Sequence, residues 1–356
     1  MNNIITIVCS ILLIFSIIII LYLTRRTFLQ NECFEKTGQK IFYERDRAGY
    51  NNVRLQFETL VAIAGITKRI LVIPVPLKIS HTKNKYYDLD IYDSKNLSNH
   101  IEWVREEDTS PMNKDLVYKL DKQIAKVDLR SLPRDKDWFF NSHNSRIQHF
   151  ECLSLTDKDL KKAENFIING LKFNDRIMNL FNKAMMSLPK SYNSVHARYL
   201  HDYDKDNGSL PGDKKGLSID NVSKKIKEHM KPSESIYVST NGSKKFIAEL
   251  KSKVPNKIFS HFDNNIDMNE FDAIILDMMI ASRGNLFMGH PYSTFSTGII
   301  QLRRKQNILE GKSGNKYISI TDKLPFQTGG KQGEVCWMRV TNFKNYSYES
   351  FELLAI

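Results

Sequence analysis

Apolar residues form one almost unbroken run near the start of the chain, over residues 4–23. A helix of twenty residues reaches about 30 Å, which is the thickness of the hydrocarbon core of a bilayer. The run is longer than the apolar part of a signal peptide, and neither a basic start nor a small-residue cleavage site accompanies it. The pattern therefore predicts an uncleaved transmembrane helix within a membrane anchor of residues 1–30, and hence a single-pass membrane protein.

Beyond the anchor, residues 31–48 are polar and predict a short stem. The stretch 49–190 then opens with apolar residues at helical spacing followed by a β-branched run, which together start an α/β unit. The predicted elements of this stretch are a helix over 51–65, a strand over 69–75, a loop over 80–108, a helix over 116–125 and a long helix over 156–188 that breaks near Gly170.

Near residue 191 the alternation of strand and helix starts again. We predict strands over 194–199, 235–240, 257–260 and 285–288, helices over 218–230, 244–253 and 272–281, and a last helix that follows a Ser-Thr turn and runs through Ile300. Such alternation is typical of a parallel, doubly wound sheet. The sequence thus predicts an α/β protein with two Rossmann-like domains, residues 49–190 and 191–340, that face each other across a cleft; residues 341–356 form a tail.

Composition narrows the possible functions. Hydrophobic residues make up 41% of the chain, which supports a packed core rather than disorder. The net charge of +12 favours anionic partners, but the lysines are scattered and no nucleic-acid-binding motif is present, so we expect no nucleic-acid partner. The four cysteines lack the spacing of a metal site or a disulfide framework.

Candidate chemistry falls at the ends of three predicted strands in the second domain. Open α/β sheets bind ligands at the carboxyl ends of their strands. Polar residues occur there at 196–198, 239–241 and 290–296. The last of these stretches also opens a helix, whose free backbone N–H groups suit a phosphate; the alternative is that Ser293 only caps the helix. The convergence of the three stretches favours one nucleotide site.

Three motifs, in their order along the chain, resemble a known family. They are the turn from Gly49 to Arg54, the His196-Ala197-Arg198 strand end, and the turn at residues 293–296. Together they are similar to the GDP-fucose protein O-fucosyltransferases and their α1,6-fucosyltransferase relatives, over roughly residues 40–304. The resemblance implies a GT-B-like enzyme that transfers fucose from GDP-fucose to a protein or glycan hydroxyl without a metal or other cofactor. It makes residues 49–190 the acceptor side and 191–340 the nucleotide-sugar-binding domain.

The resemblance also implies roles for individual residues. Arg198 would stabilise the charge that develops on the departing diphosphate; the alternative is an ordinary ion pair with Asp202 or Asp204. Asp202 is a candidate base for the acceptor hydroxyl, with His201 and Asp46 as alternatives. The expected substrate-binding residues are Gly49, Asn51, Asn52, His196, Asn241, Asp277, Ser293, Thr294, Phe295 and Ser296.

Two other functions remain open at this stage. A metal-dependent glycosyltransferase would use an Asp-x-Asp pair to hold Mg²⁺ or Mn²⁺ against a diphosphate. Asp88 with Asp90, and Asp202 with Asp204, both have that spacing. The other possibility is a membrane-anchored carbohydrate-binding protein that kept the fold without turnover.

The orientation in the membrane is open as well. Arg25 and Arg26 follow the apolar run, and the positive-inside rule would place the large domains in the cytosol. The resemblance implies the opposite, because such enzymes usually face the lumen of the endoplasmic reticulum or Golgi apparatus. We expect the lumenal orientation.

Overall fold

A computed structural model describes residues 14–17, 19, 38–46, 49–78, 84–120, 127–141, 153, 155–198, 218–263, 266–290, 293–310 and 316–319. Of the predicted transmembrane helix, only 14–17 and 19 lie among them, and these residues are helical. Within the described parts of the chain, no helix combines the length and the apolar character needed to cross a membrane. The rest of the predicted anchor lies outside the described residues.

The first half contains a five-stranded sheet in which every neighbouring pair is parallel. Its order is β5-β2-β1-β7-β6. The elements of this half are β1 (Lys40–Tyr43), α1 (Tyr50–Thr67), β2 (Ile70–Ile73), the antiparallel pair β3 (Leu77–Lys78) and β4 (Lys85–Tyr86), α2 (Ser94–Ser98), β5 (Trp103–Arg105), β6 (Tyr118–Lys119) and β7 (Trp138–Phe140).

Three predictions for this half are wrong. Residues 40–43, assigned to the polar stem, form the central strand β1, whose Ile41, Phe42 and Tyr43 are buried. Within the predicted loop 80–108 lies the edge strand β5. The predicted helix 116–125 contains β6 instead. Each of these strands has only two to four residues, too few to show a period, so pairing with neighbouring strands decides their conformation.

Among the described residues, three helical segments lie between the two sheets. They are α3 (Asp157–Asn165), a π-helix (Phe166–Gly170) and α4 (Asp175–Met186). The predicted break near Gly170 is therefore confirmed. Thr156 caps α3 by accepting a hydrogen bond from the Asp159 N–H, and Asn174 caps α4 in the same way through the Ile177 N–H.

The second half is again a five-stranded sheet of parallel neighbours, in the order β10-β9-β8-β11-β12. Its elements are β8 (Asn193–Ala197), α5 (Ile219–His229), β9 (Ile236–Thr240), α6 (Lys244–Lys253), β10 (Ile258–Phe259), α7 (Glu270–Ser282), β11 (Leu286–Gly289), α8 (Thr294–Glu310) and β12 (Lys316–Ser319). Strand pairing joins no described strand of one half to a described strand of the other. The predicted α/β fold with parallel sheets is confirmed.

The strand β8 has two different faces, because successive side chains point to opposite sides of a sheet. Val195 and Ala197 pack with apolar residues of α5 and α6 in the smaller core. Ser194 and His196 face the other way, and they bond to Ala281 of α7 and Ser296 of α8. The helices α7 and α8 therefore cover the face of the sheet that carries His196.

The larger apolar core extends across both halves. It includes Phe57 and Leu60 of α1 together with Ile275 and Met278 of α7, all nearly inaccessible to solvent. The contact between the two halves also includes aromatic stacking: the ring centroids of Tyr86 and Phe271 lie 4.0 Å apart. The two sheets are thus joined by packed helices.

Candidate functional site

Three adjacent strands bring the predicted motifs to one edge of the second sheet. β8 lies between β9 and β11, and all three are parallel. Arg198 follows the end of β8, Asn241 follows β9, and His290 follows β11. The register pairs His196 with Ser239 and Ala197 with Thr240. The convergence expected from the sequence is therefore present in the fold.

A buried cluster of His196, Ser296 and His290 lies at this edge. Ser296 Oγ is 2.8 Å from His196 Nδ1 and accepts a 2.9 Å hydrogen bond from the His290 backbone N–H. The Phe295 ring lies 4.7 Å from the His196 ring between centroids. A β-carbon on Gly289 would come within 2.8 Å of Ser296 Oγ. Glycine at that position therefore lets the start of α8 fold back onto the strand end.

Both histidines of the cluster are neutral at physiological pH. Burial, and then the positive charge of Arg198, lower the pKa of His196 well below its ordinary value. The same two causes lower the pKa of His290 to about 4. Ser296 Oγ accepts from the His290 N–H and still has a proton to donate, so the 2.8 Å contact fits either tautomer of His196. With that proton donated to Nδ1, the ring proton would be on Nε2. The cluster thus combines a neutral N–H donor with one guanidinium cation, which suits an anionic ligand.

The Ser293 hydroxyl does not behave as a simple helix cap. Ser293 is 1% exposed, and its Oγ is buried without a hydrogen-bond partner among the described residues. A capping serine would accept from a backbone N–H of the first turn. A buried hydroxyl without a partner costs about 1–3 kcal/mol, and an oxygen of a bound ligand would remove that cost. Thr294 and Phe295, the next two predicted site residues, are half-buried.

The turn at the start of α1 differs in detail from the prediction. Gly49 has a φ of −62°, which any residue adopts, so the turn itself does not require glycine. A β-carbon there would meet open space. Asn51 is buried, and its Oδ1 accepts a 3.2 Å hydrogen bond from Arg54 Nε. Asn52 is half-buried, with an Oδ1 that is shielded from solvent and has no partner among the described residues. Asn52 is therefore better placed than Asn51 to bind a ligand.

Asp277 is a buried residue of α7. One carboxylate oxygen accepts from the Tyr237 hydroxyl at 2.5 Å, and the other lies 3.0 Å from His261 Nδ1. The hydrogen bond and charge of Asp277 raise the pKa of His261, although burial lowers it. The described hydrogen bonds do not join this group to the His196–Ser296 contact, so a ligand role for Asp277 remains a prediction.

The Asp88 carboxylate is already neutralised inside the first half. Its Oδ2 accepts hydrogen bonds from the Tyr43 hydroxyl at 2.6 Å and from Arg45 Nη2 at 2.9 Å. Asp90 bonds to the backbone N–H of Tyr87. Among the described residues, no group of three or more acidic, histidine or cysteine side chains is arranged to hold a metal ion. Asp202, Asp204 and His201 lie outside the described residues.

A buried polar network between the halves was not predicted from the sequence. Arg54 of α1 pairs with Glu58 one turn later and donates a 2.9 Å hydrogen bond to Gln301 of α8. Arg54 and Glu58 are both buried. The only signal in the sequence is an Arg and a Glu four residues apart within an apolar helical pattern, and such pairs are far commoner on exposed helix faces.

Comparison with known proteins points to one family. The family model described as GDP-fucose protein O-fucosyltransferase matches residues 41–306, more than half of the chain. No curated protein sequence matches. Among solved structures, POFUT1 in complex with GDP is 13% identical, with a TM-score of 0.50, over 80% of this chain and 99% of that one. The fucosyltransferase NodZ from Bradyrhizobium is 12% identical, with a TM-score of 0.52, over 74% of this chain and 93% of that one. At these identities the likeness shows the fold.

Proposed function

This chain belongs to the GDP-fucose protein O-fucosyltransferase family of glycosyltransferases, and we propose that it transfers fucose from GDP-fucose to a hydroxyl group of a protein or glycan. The observation that carries the proposal is the strand edge where Arg198 follows β8 beside the neutral, buried His196 and His290. A diphosphate is the part of the donor that such a site fits, because its oxygens accept from both N–H groups and guanidinium.

In the proposed reaction, the bond between fucose C1 and the β-phosphate oxygen breaks, and the acceptor oxygen bonds to C1. The electron pair leaves with GDP, and Arg198 stabilises that growing charge beside the buried His196 and His290. His196 Nε2–H, Ser293 and Thr294 hold the phosphates, and Asn52 contacts the phosphate or sugar from the first half. The proton of the acceptor goes to a carboxylate, for which Asp202 is the proposed residue.

The rival function, a metal-dependent enzyme, would use Asp88 with Asp90 or Asp202 with Asp204, and the first of these pairs has little support. A carboxylate that already binds Arg45 and Tyr43 has little charge left for a cation. We therefore propose a reaction without a metal cofactor at this pair. Activity that survives a chelator supports this view, whereas loss of activity that Mn²⁺ restores favours the rival.

We also propose that residues 4–23 anchor the enzyme in a membrane as a single-pass segment. The apolar length of that run supports the anchor. Family membership supports a catalytic part that faces the lumen of the endoplasmic reticulum or Golgi apparatus, while Arg25 and Arg26 favour the cytosol. Protease protection of the catalytic part in sealed microsomes distinguishes the two orientations.

A donor screen tests the proposal directly. Residues 31–356 are incubated with GDP- and UDP-sugars, and the released nucleoside diphosphate is measured. We expect GDP to be released from GDP-fucose. Release of nucleoside diphosphate from the other sugar nucleotides should be slower or absent. GDP binding without any donor turnover supports the carbohydrate-binding alternative, and turnover of a UDP-sugar alone refutes the assignment to GDP-fucose.

A further inference from the structure

Arg54 connects the helices α1 and α8 although it is only 3% exposed. Its Nη1 pairs with Glu58 on its own helix, its Nε donates to Asn51 Oδ1 at 3.2 Å, and its Nη2 donates to Gln301 Oε1 at 2.9 Å. Asn51 belongs to the turn that opens α1. Gln301 belongs to α8, the helix that begins directly after Ser293.

The two helices approach each other closely at this point. A β-carbon on Gly298 would lie 2.4 Å from Asn51 Oδ1 and 3.1 Å from Arg54 Nη2. Real β-carbons do not approach an oxygen so closely, so α8 can pack here only because residue 298 is glycine. The contact lies about one turn beyond the start of each helix, which means that it fixes the two helix starts relative to each other.

Both of these helix starts carry unsatisfied groups of the proposed donor site. Asn52 Oδ1 lies at the start of α1, and Ser293 Oγ lies at the start of α8; both are buried and without partners among the described residues. Stability alone does not explain a buried arginine at the junction, because well-packed apolar residues often replace buried ion pairs without loss. A planar guanidinium, however, bonds three partners in fixed directions, which neither lysine nor an apolar residue does.

We propose that Arg54 is a positioning residue of the donor site. Through Asn51 and Gln301, it sets the turn of residues 49–52 against the turn of residues 293–296, so that both halves bind the same GDP-sugar. This inference rests on the proposed function. It adds a residue that does not touch the donor but determines whether the two halves present their groups at the correct separation.

Titration with GDP, beside a melting curve for each variant, tests the proposal. Arg54→Lys keeps the charge next to Glu58 but cannot bond Asn51 and Gln301 together, and Gln301→Leu removes the bond between Arg54 and α8. We expect both to weaken GDP binding about tenfold, the effect of losing one hydrogen bond to a charged group. Gln301→Glu still accepts from Arg54 and should restore near-normal affinity.

Arg303→Lys is the matched control. Arg303 is also a buried arginine of α8, but its described hydrogen bonds go to the carbonyl groups of Ser282, Gly284 and Asn285 within the second half. It should lower the melting temperature and leave the GDP affinity unchanged. If Arg54→Lys does not fold, Gln301→Leu and Gln301→Glu decide the outcome alone.

The possible outcomes separate the two proposals. Normal GDP affinity in Arg54→Lys and Gln301→Leu, with wild-type protein that binds GDP, overturns the positioning role and leaves the proposed function intact. Equal weakening by Arg303→Lys overturns it as well, because the effect would then be general destabilisation. Wild-type protein that binds no GDP overturns both.

Discussion

Replacing Ser296 by alanine should damage both stability and donor binding, since one hydroxyl serves two buried groups. Ser296 is 1% exposed; its Oγ accepts from the His290 N–H and bonds to His196 Nδ1. Each buried group left without a partner costs about 1–3 kcal/mol. The variant should therefore lose about 2–6 kcal/mol of unfolding free energy, and His196 should lose the contact that fixes its tautomer and orientation.

Ser194→Ala provides the matched control. Ser194 is a fully buried serine that lies two residues before His196 on β8 and on the same face of the sheet. Its hydroxyl donates to the Ala281 carbonyl at 2.7 Å, away from His196 and His290. The same hydroxyl lies 3.4 Å from the Leu286 carbonyl. Its removal should cost about 1–3 kcal/mol and should leave the GDP affinity of the folded protein unchanged.

Urea denaturation and calorimetric titration with GDP measure the two effects separately. We expect Ser296→Ala to be the less stable variant and to bind GDP at least about tenfold more weakly, because a misoriented His196 no longer donates to the phosphate. Equal losses of unfolding free energy in the two variants would contradict the double role of Ser296. GDP binding by Ser296→Ala as tight as that of the wild-type protein would contradict it as well.

Three further predictions concern the same site. Arg198→Ala should lower the rate of transfer by about 10²–10³ with folding retained, and Arg198→Lys should also fail because an ammonium lacks the bidentate fork; near-normal turnover by either removes Arg198 from the mechanism. Thr294→Ala should weaken GDP binding by about 1–3 kcal/mol with an unchanged melting curve, whereas a simple capping role predicts the reverse. Burial lowers the pKa of His290 in the folded protein from 6.5 to about 4. Its contribution to the free energy of unfolding is therefore complete above pH 6.5 and is lost as the pH falls towards 4. His290→Asn should make this decline smaller in denaturation curves recorded across that range.

The second half of the fold could be predicted from the sequence because its signals are local. Each predicted strand alternates with a helix, and the polar cap residues Ser218, Ser243 and Asn269 mark where helices begin. The helix predicted over residues 244–253 has those bounds in the structure. The strand ends of the site follow from the same pattern, since parallel strands place their carboxyl ends together.

The first half and the details of the site depend on contacts between distant residues. The strand β7 has three residues and takes its conformation from β1 and β6, almost 100 and 20 residues away in the chain. The bond between His196 and Ser296 joins residues 100 positions apart. From the sequence, Arg54 is predicted to be an ordinary charged residue on a helix. Its contact with α8 depends on the approach of Gly298 and Gln301, which lie more than 240 residues further along the chain.

The electrostatics of the strand edge also determine which residues cannot remove the acceptor proton. A general base works best when its pKa lies near the operating pH. His290, with a pKa of about 4, is a weak base at neutral pH. Burial and the charge of Arg198 lower the pKa of His196 as well. The residues that suit the diphosphate are thus unsuited to act as base. The acceptor proton therefore goes to a residue outside this cluster in the proposed reaction; Asp202 is the proposed residue, with His201 and Asp46 as the alternatives.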